Sequence, residues 1–359
     1  MNIENAFLRR TAKVALAVFI GWVTLGIFNL YRVHFPNREH AMISPLQDMR
    51  TFCVGRYQID LPRGSVLYRA ISAAGGAAHA RFSAEQPVPR YRFENTVYQR
   101  WLEIQKLKVD ELGKPFTQPA ERIEVVPDGV LFAFNHSSIY AREWPDGSKG
   151  TQFFYETEGY LWRNETLFRF TDAPVKDRPI AAMRRLQPQS NTDIPNAQGF
   201  CTGHSFFPGA PEDGESTDFA FHLPTNPPAE FRIGTMGGGF VKQNPSMFDM
   251  PDLKMSFVRD THRDIADLAG DEWIYFDASR RGHIYTYGLG AYWHRPEGES
   301  MSRQPSINVE MNIDIKDESS SSFQSDFPSK KAEGDIGKEE FLALWDGILK
   351  TLRPRPGAF

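Results

Sequence analysis

Cysteine is scarce in this sequence, with only Cys53 and Cys201 among 359 residues. Two cysteines so far apart match no zinc-ligand spacing, and the nine histidines are scattered singly. The sequence contains no P-loop, no H-E-x-x-H motif and no EF-hand loop. These absences argue against the common metal-dependent and nucleotide-dependent enzymes, so we expect no metal, no cofactor and no catalytic residue.

One short stretch resembles part of a hydrolase site. The sequence GHSFFPG at residues 203–209 begins like the nucleophile elbow of a lipase, but Phe207 stands where the second glycine is required. That glycine permits the sharp turn from strand to helix, and a turn-rich loop follows here instead. A hydrolase that uses Ser205 with His204 or His222 is therefore kept only as an alternative.

Long hydrophobic runs are also rare in this sequence. The run near the N-terminus has the length of a membrane span. Residues 14–31, VALAVFIGWVTLGIFNLY, carry no charge and would rise about 27 Å as a helix, close to the thickness of a hydrocarbon core. Arg9, Arg10 and Lys13 precede this run, and no small-residue cleavage site follows it. We predict an uncleaved signal anchor with residues 1–13 in the cytoplasm and the rest of the chain exported. A buried helix of a soluble domain is the alternative.

The two cysteines lie in a repeated phrase. TFCVGRYQIDLP begins at Thr51 and GFCTGHSFFPGA begins at Gly199, so each cysteine occurs within Phe-Cys-x-Gly. Strand-like runs that end in Leu-Pro follow both cysteines, and helical patterns that end in Leu-x-Pro (IAAMRRLQPQ and GILKTLRPRP) close both units. We therefore predict two related domains, residues 45–187 and 199–355, joined by a polar linker at residues 188–198.

Each predicted domain combines several antiparallel strands with few helices. Apolar residues at helical spacing predict a helix from Arg92, and an apolar stripe from Phe341 to Leu352 predicts the last helix. The stretch from Met255 is interpreted as a middle helix of the second domain. Because helices follow runs of strands rather than alternate with each strand, the fold class is α+β.

Export affects the interpretation of the cysteines. In an oxidising compartment a disulfide between Cys53 and Cys201 is favoured, and two separate buried thiols are the alternative. Closing a loop of about 150 residues would stabilise the fold by several kcal/mol in the chain-entropy model.

Charge is distributed unevenly along the chain. Residues 51–190 contain 19 Lys and Arg against 16 Asp and Glu, whereas residues 191–359 contain 16 against 26. An acidic second half argues against a nucleic-acid partner and suits a basic protein partner, although a solvated acidic surface has the same composition. Charge and expected exposure give candidate partner contacts in an acidic loop and a glycine loop: Glu212, Asp213, Glu215, Asp218, Gly237, Gly238 and Gly239.

The sequence resembles the two-domain immunity proteins of type VI secretion systems that neutralise secreted phospholipase effectors. In that family an early Cys-Val-Gly-Arg-Tyr strand leading to a proline and a later Gly-Phe-Cys opening mark the two domains. Here these motifs fall at Cys53–Tyr57 with Pro62 and at Gly199–Cys201. Where the family often continues with glycines and a glutamate, this chain has Thr202, Gly203 and His204.

The resemblance implies a periplasmic or periplasm-facing protein that lacks catalytic activity and binds a phospholipase effector. Together with the predicted anchor at residues 14–31, this places the protein at the inner membrane. Its two domains are expected to clamp the lid of the effector and so inhibit it. The main alternative is an envelope-anchored scaffold or lipid-binding protein without a toxin partner, and a membrane-anchored hydrolase is the other.

Overall fold

Antiparallel strands form most of the structure, a computed structural model that describes residues 46–74, 80–109, 115–116, 119–143, 149–171, 175–237, 256–281, 284–298, 303–317 and 336–359. The predicted tail at residues 1–13 and the predicted anchor at residues 14–31 lie outside these ranges. Within the ranges, no helix is both long enough and apolar enough to cross a bilayer.

The two halves of the chain share one order of elements: a hairpin, two strands, four further strands, a helix and a short strand. The first half, which has an additional helix, comprises β1 (Met49–Val54), β2 (Tyr57–Pro62), β3 (Val66–Ala74), β4 (Ala80–Glu85), α1 (Arg90–Lys106), β5 (Glu121–Val126), β6 (Gly129–Glu143), β7 (Lys149–Arg163), β8 (Thr166–Thr171), α2 (Asp177–Arg185) and β9 (Gln187–Pro188). The second half comprises β10 (Gly199–Cys201), β11 (Ser205–Pro208), β12 (Ser216–His222), β13 (Glu230–Met236), β14 (Ser256–His262), β15 (Asp271–Arg281), β16 (Ile284–Arg295), β17 (Ser306–Asp317), α3 (Lys338–Leu349) and β18 (Arg353–Pro354).

One twelve-stranded antiparallel sheet crosses both halves, in the order β14-β15-β16-β17-β13-β12-β3-β4-β8-β7-β6-β5. The halves meet where β3 pairs with β12, with Ala70 opposite Phe219 near the middle of the pair. These two residues are separated along the chain by nearly the same number of positions as the two cysteines. The pairing is therefore close to two-fold symmetric, as expected if the two halves are related units.

The opening hairpins are exchanged between the halves. The hairpin β1–β2 pairs with β18 from the far end of the chain, and β10–β11 pairs with β9 from the end of the first half. Phe52 and Ile59 of the first hairpin pack in the core of the second half with Phe231 and Trp345. In the same way, Phe207 of the second hairpin packs in the core of the first half. Each half therefore completes its core with a hairpin from the other.

In the first half of the sheet, helix α1 covers the face that lies opposite the exchanged hairpin β10–β11. Its apolar residues Phe93, Val97 and Ile104 are buried against Phe132 and Tyr160 of β6 and β7. Burial of each such side chain contributes about 1.5–3 kcal/mol. The first half thus has three layers, with α2 and the exchanged hairpin on one face of the sheet and α1 on the other.

Helix α3 closes the core of the second half. The Glu340 carboxylate accepts a hydrogen bond of 2.9 Å from the backbone N–H of Gly337, and Glu339 and Glu340 occupy the first turn, where carboxylates complement the helix dipole. The apolar stripe of the helix, which includes Phe341 and Trp345, is fully buried. The last helix predicted from the sequence is therefore confirmed, as is the α+β class.

One sequence prediction is wrong. The stretch from Met255 is not a helix, because Ser256–His262 forms the edge strand β14 of the large sheet. Hydrogen bonds hold the segment 188–198 against the rest of the fold. The Cys53 N–H donates to the carbonyl of Asn191, and the Arg355 guanidinium donates to the carbonyl of Ala197. The domain limits stay a prediction, and the halves on either side of this segment share one continuous sheet.

Candidate partner-binding surface

The repeated Phe-Cys phrases meet at the joint between the halves. The structure forms a disulfide between Cys53 and Cys201, both of which are buried. Next to it, Gly55 and Cys201 exchange two backbone hydrogen bonds of 3.0 and 2.8 Å. Gly55 has a φ of 60°, and a Cβ there would meet the Thr235 hydroxyl at 2.8 Å, so this turn favours glycine. The phrase occurs twice because both copies build one joint.

A buried ion pair lies beside the disulfide. Arg56, in the turn between β1 and β2, donates two hydrogen bonds of 2.7 Å to the carboxylate of Glu215. The two side chains are only 3% and 9% exposed. Desolvation raises the pKa of the Glu215 carboxyl, and the opposing effect of Arg56 does not fully offset it. Glu215 therefore ties the halves together, and the exposure expected for it from the sequence is wrong.

The other predicted contacts lie in different surroundings. Glu212 forms an ion pair of 2.8 Å with Arg185 at the end of α2, and Asp213 is exposed. Gly237 is buried, and its N–H donates to the Glu215 carbonyl at 2.9 Å, so the acidic and glycine loops are neighbours. The remaining two glycines of that loop, Gly238 and Gly239, lie outside the described residues. A partner role for these loops stays a prediction.

Asp218 lies on the outer side of β12, in a surface that we call the polar face. Along each strand of the second half, core residues such as Val309 and Met311 alternate with residues that point away from the core. The polar face is formed by these outward residues and by the adjoining part of β3: Tyr68, Arg69, Asp218, His222, Glu230, Arg232, Tyr275, Asp277, Tyr292, Asn308, Glu310, Asn312 and Asp314.

Hydrogen bonds and ion pairs run across the middle of the polar face. Arg232 donates to Asp218 at 3.2 Å, and its guanidinium lies 3.6 Å from the carboxylate of Glu310. Asn312 in turn donates to Glu310 at 2.7 Å. The charged groups of this network are about one-third exposed, so they are fixed in position and still reached by solvent. The face is therefore an ordered surface whose charged groups are held in place by one another.

Burial and, to a smaller extent, nearby carboxylates raise the pKa of two tyrosines on the polar face. Desolvation raises the pKa of Tyr292 to about 12, with a further contribution from Glu310. Desolvation also raises the pKa of Tyr275, and the carboxylates of Glu310, Asp277 and Asp314 add to this effect. A nearby negative charge disfavours a phenolate, so both tyrosines stay neutral and present hydroxyl groups.

An open groove of about 480 Å³ lies on the opposite side of the second half, between β14 and α3. Its floor is Glu272, which is fully buried and accepts hydrogen bonds from Arg259 (3.1 Å) and from the indole N–H of Trp345 (2.8 Å). Burial alone would raise the pKa of Asp346 at the groove, but hydrogen bonds from Arg259 and Arg263 lower it. The two carboxylates and two guanidiniums satisfy one another, so the groove is a structural ion network.

The residues of the alternative hydrolase site are not arranged for catalysis. Ser205 is fully buried, and its hydroxyl hydrogen-bonds to the hydroxyl of Thr202. His222 lies on the polar face and stacks on Tyr68, with ring centroids 4.1 Å apart. No histidine of the described chain hydrogen-bonds to the Ser205 hydroxyl. In the same part of the chain, no group of three or more His, Cys, Asp or Glu side chains is placed to hold a metal ion.

Comparison with known families gives a match to the second half of the chain. Residues 193–357 match the family described as the Tle cognate immunity protein 4 C-terminal domain. This match covers just under half of the chain, and it makes the second half similar to that family. The match contains every element from β10 to β18, and it confirms the resemblance to type VI lipase immunity proteins. An immunity-protein family is named for protection rather than for catalysis, which supports the prediction that the chain is not an enzyme.

Solved structures of immunity proteins share this fold. The crystal structure of the Tle4–Tli4 complex contains a chain with 18% identity and a TM-score of 0.60, which aligns over 86% of this chain and 98% of that one. The apo structure of the immunity protein TplEi from Pseudomonas aeruginosa has 19% identity and a TM-score of 0.58, over 86% and 98% of the chains. TplEi complexed with an "L" peptide gives 17% identity and a TM-score of 0.55, over 86% and 99%. Among curated proteins, no relative matches this chain.

The alignment with these immunity proteins extends well beyond the matched family domain. The domain match begins at residue 193, whereas the structural alignments cover 86% of the chain and nearly all of each neighbour. The fold likeness therefore extends into the first half of the chain.

Among the residues of the polar face, the sequence identifies Asp218 as a candidate partner contact. His222 is named only for the alternative hydrolase site, and the other residues are missed. A usable signal is present: in INVEMNIDI the polar residues Asn308, Glu310, Asn312 and Asp314 alternate with apolar ones. Such alternation indicates a strand with one solvent-facing side. What it does not reveal is that β15 and β16 place further polar residues beside it.

Proposed function

We propose that the protein is an immunity protein that binds a type VI secreted phospholipase effector and inhibits it. The observation that carries this proposal is the family match of residues 193–357. It is supported by the fold likeness to an immunity protein solved in the Tle4–Tli4 complex. The arrangement of Ser205 and the histidines offers no competing catalytic site within the described chain.

We further propose that the two halves hold the effector's lid closed. An inhibitor of this kind needs only a higher affinity for the closed state. To keep 99% of an evenly balanced lid closed, it must bind that state about 100-fold more tightly, which corresponds to about 2.7 kcal/mol.

The joint between the halves supports such a clamp. The β3–β12 pairing, the Cys53–Cys201 disulfide and the Arg56–Glu215 ion pair all connect the two halves. A clamp whose halves are fixed in advance loses little conformational entropy when it binds. We therefore propose a preformed binding surface rather than two domains that close around the lid.

We also propose that residues 14–31 anchor the protein in the inner membrane and that the following residues face the periplasm. The support is the uncharged run with Arg9, Arg10 and Lys13 before it. A buried disulfide suits an oxidising compartment. Fractionation of cells that express the full-length protein tests this: recovery from the soluble cytoplasmic fraction would contradict it.

The function is tested by co-expression with a cognate phospholipase effector that is directed to the periplasm. Cells that carry the full-length protein are expected to grow, and cells that lack it are expected to lyse. The control is an effector whose nucleophile is substituted, which is expected to leave both strains viable. Equal loss of viability with and without the full-length protein would refute the proposal.

A further inference from the structure

The polar face occupies a position that a helix covers in the other half of the molecule. In the first half, α1 packs on β6 and β7 through Phe93, Val97 and Ile104. The corresponding strands of the second half are β15 and β16, which carry Tyr275 and Tyr292 on that side. Among the described residues, no helix packs on this side of the second half. One face of a repeated fold is thus apolar and covered by a helix, whereas its counterpart is mostly polar, with Trp273 buried beside Tyr292 as an apolar exception.

A notch between two carboxylates lies near one end of the polar face. Gly288 of β16 sits between Asp277 of β15 and Asp314 of β17 in the strand register. A Cβ at Gly288 would lie 3.0 Å from the Asp314 carboxylate and 4.0 Å from the Cβ of Asp277. Because Gly288 has no side chain, the Asp314 carboxylate lies close over its backbone and the Asp277 side chain borders the same position. Both acidic side chains are exposed.

The charge of the face selects the kind of partner. Carboxylates outnumber guanidiniums among its described side chains, with Asp218, Glu230, Asp277, Glu310 and Asp314 against Arg69 and Arg232. Phosphate groups of nucleic acids or anionic lipids are repelled by such a surface. Lysine and arginine side chains are attracted by the carboxylates and also bind well against tyrosine rings.

We propose that the polar face is the docking surface for a lysine- or arginine-bearing segment of the effector, with one cationic side chain seated between Asp277 and Asp314. This inference rests on the proposed function and names the part of the molecule that performs it. The negative face steers the basic segment during encounter, and the notch over Gly288 fixes the register of the bound segment. Partner binding thus uses the side of the second half that lies opposite the α3 groove.

The test measures binding of the full-length protein to a phospholipase effector against which it protects cells. Asp277→Asn/Asp314→Asn removes two charges from the notch and keeps the shape of both side chains. The matched control, Asp267→Asn/Glu339→Gln, removes two exposed charges from the same half but away from the polar face. Association and dissociation rates are measured by surface plasmon resonance at about 50 and about 500 mM NaCl, on either side of the range where screening sets in, and thermal melts verify that each variant is folded.

We expect the notch variant to raise Kd about tenfold at the lower salt concentration, through a slower association rate because steering is weaker and a faster dissociation rate because the seated contact is lost. The difference from wild type is expected to shrink at the higher concentration, where charges are screened. The control is expected to stay within about twofold of wild type, since exposed charges far from the contact are largely screened by salt.

Equal Kd values for the two variants would overturn the inference while leaving the proposed function intact, whereas the absence of any effector that wild type binds would overturn both. If the notch variant fails to fold, the salt dependence of the wild-type association rate tests the inference instead. A rate that does not fall at the higher salt concentration then overturns the inference, and a steep fall supports it.

Discussion

Removal of the Glu215 carboxylate is the sharpest test of how the two halves are held together. In Glu215→Ala, the guanidinium of Arg56 loses both 2.7 Å hydrogen bonds to the carboxylate and stays almost fully buried. A buried charge left without its partner costs about 3–5 kcal/mol. Because Arg56 still donates to the carbonyls of Gly209 and Ala358, we expect the lower end of this range, about 3 kcal/mol.

The reciprocal variant separates charge from packing. In Arg56→Met the carboxyl of Glu215 is left without its cation, and its pKa, already raised by burial, rises further. A carboxyl whose folded pKa is raised adds stability below its unfolded value and loses it as the pH rises through the folded value. The loss in Arg56→Met is therefore expected to shrink as the pH falls toward 4.5, the ordinary glutamate value, whereas the loss in Glu215→Ala is not.

Urea unfolding of the full-length protein, followed by tryptophan fluorescence, measures both losses. Arg56→Met/Glu215→Leu removes both charges together and is expected to lie within about 1 kcal/mol of wild type. The matched control is Asp48→Ala, which breaks an ion pair with Arg63 of the same 2.7 Å length but on the surface, and is expected to cost at most about 1 kcal/mol. If Glu215→Ala costs no more than this control, the reasoning about the joint is wrong.

Three further predictions concern other parts of the molecule. Cys53→Ala/Cys201→Ala is expected to lower the free energy of unfolding by about 5 kcal/mol, the loop-entropy value for cysteines 148 residues apart, and denaturation curves under oxidising conditions measure it. The pKa of Asp346 is lowered, so its stabilising contribution is present above the ordinary value of 3.8 and is lost as the pH falls below it. The difference in free energy of unfolding between wild type and Asp346→Asn is measured from neutral pH to about pH 3, and we expect it to narrow only at the acidic end. Ser205→Ala removes one buried hydrogen bond to the hydroxyl of Thr202 and is expected to lower the free energy of unfolding by about 1 kcal/mol. It is expected to leave the protection of cells against the effector unchanged. Lost protection by a folded Ser205→Ala variant would favour the hydrolase alternative.

Local patterns predict much of this fold because each depends on nearby residues. The apolar spacing after Arg92 and the stripe from Phe341 are properties of single helices, and both helices form as predicted. The helix predicted from Met255 is wrong because Val258, Ile265 and Leu268 mimic helical spacing. Only the first of these belongs to the strand, while the other two lie in a following turn that packs on the core.

Non-local features are beyond the reach of the sequence pattern. Glu215 lies in a run rich in Asp, Glu and Gly, which is typical of a solvated loop, and its burial depends on Arg56, which is 159 positions away. The repeated phrase at Cys53 and Cys201 indicates two related units. It carries no information about which core each hairpin enters, because both cores are apolar and rich in the same residue types.

The exchange of hairpins affects any attempt to divide the chain. A fragment that ends within residues 188–198 keeps the hairpin β1–β2, which packs in the core of the missing second half. The same fragment lacks the hairpin β10–β11, which packs in the core of the first half. We therefore expect neither fragment to fold on its own, and we expect co-expressed fragments to associate by exchanging these hairpins. A symmetric dimer whose subunits swap their leading hairpins, later fused head to tail by gene duplication, would produce the same architecture in a single polypeptide.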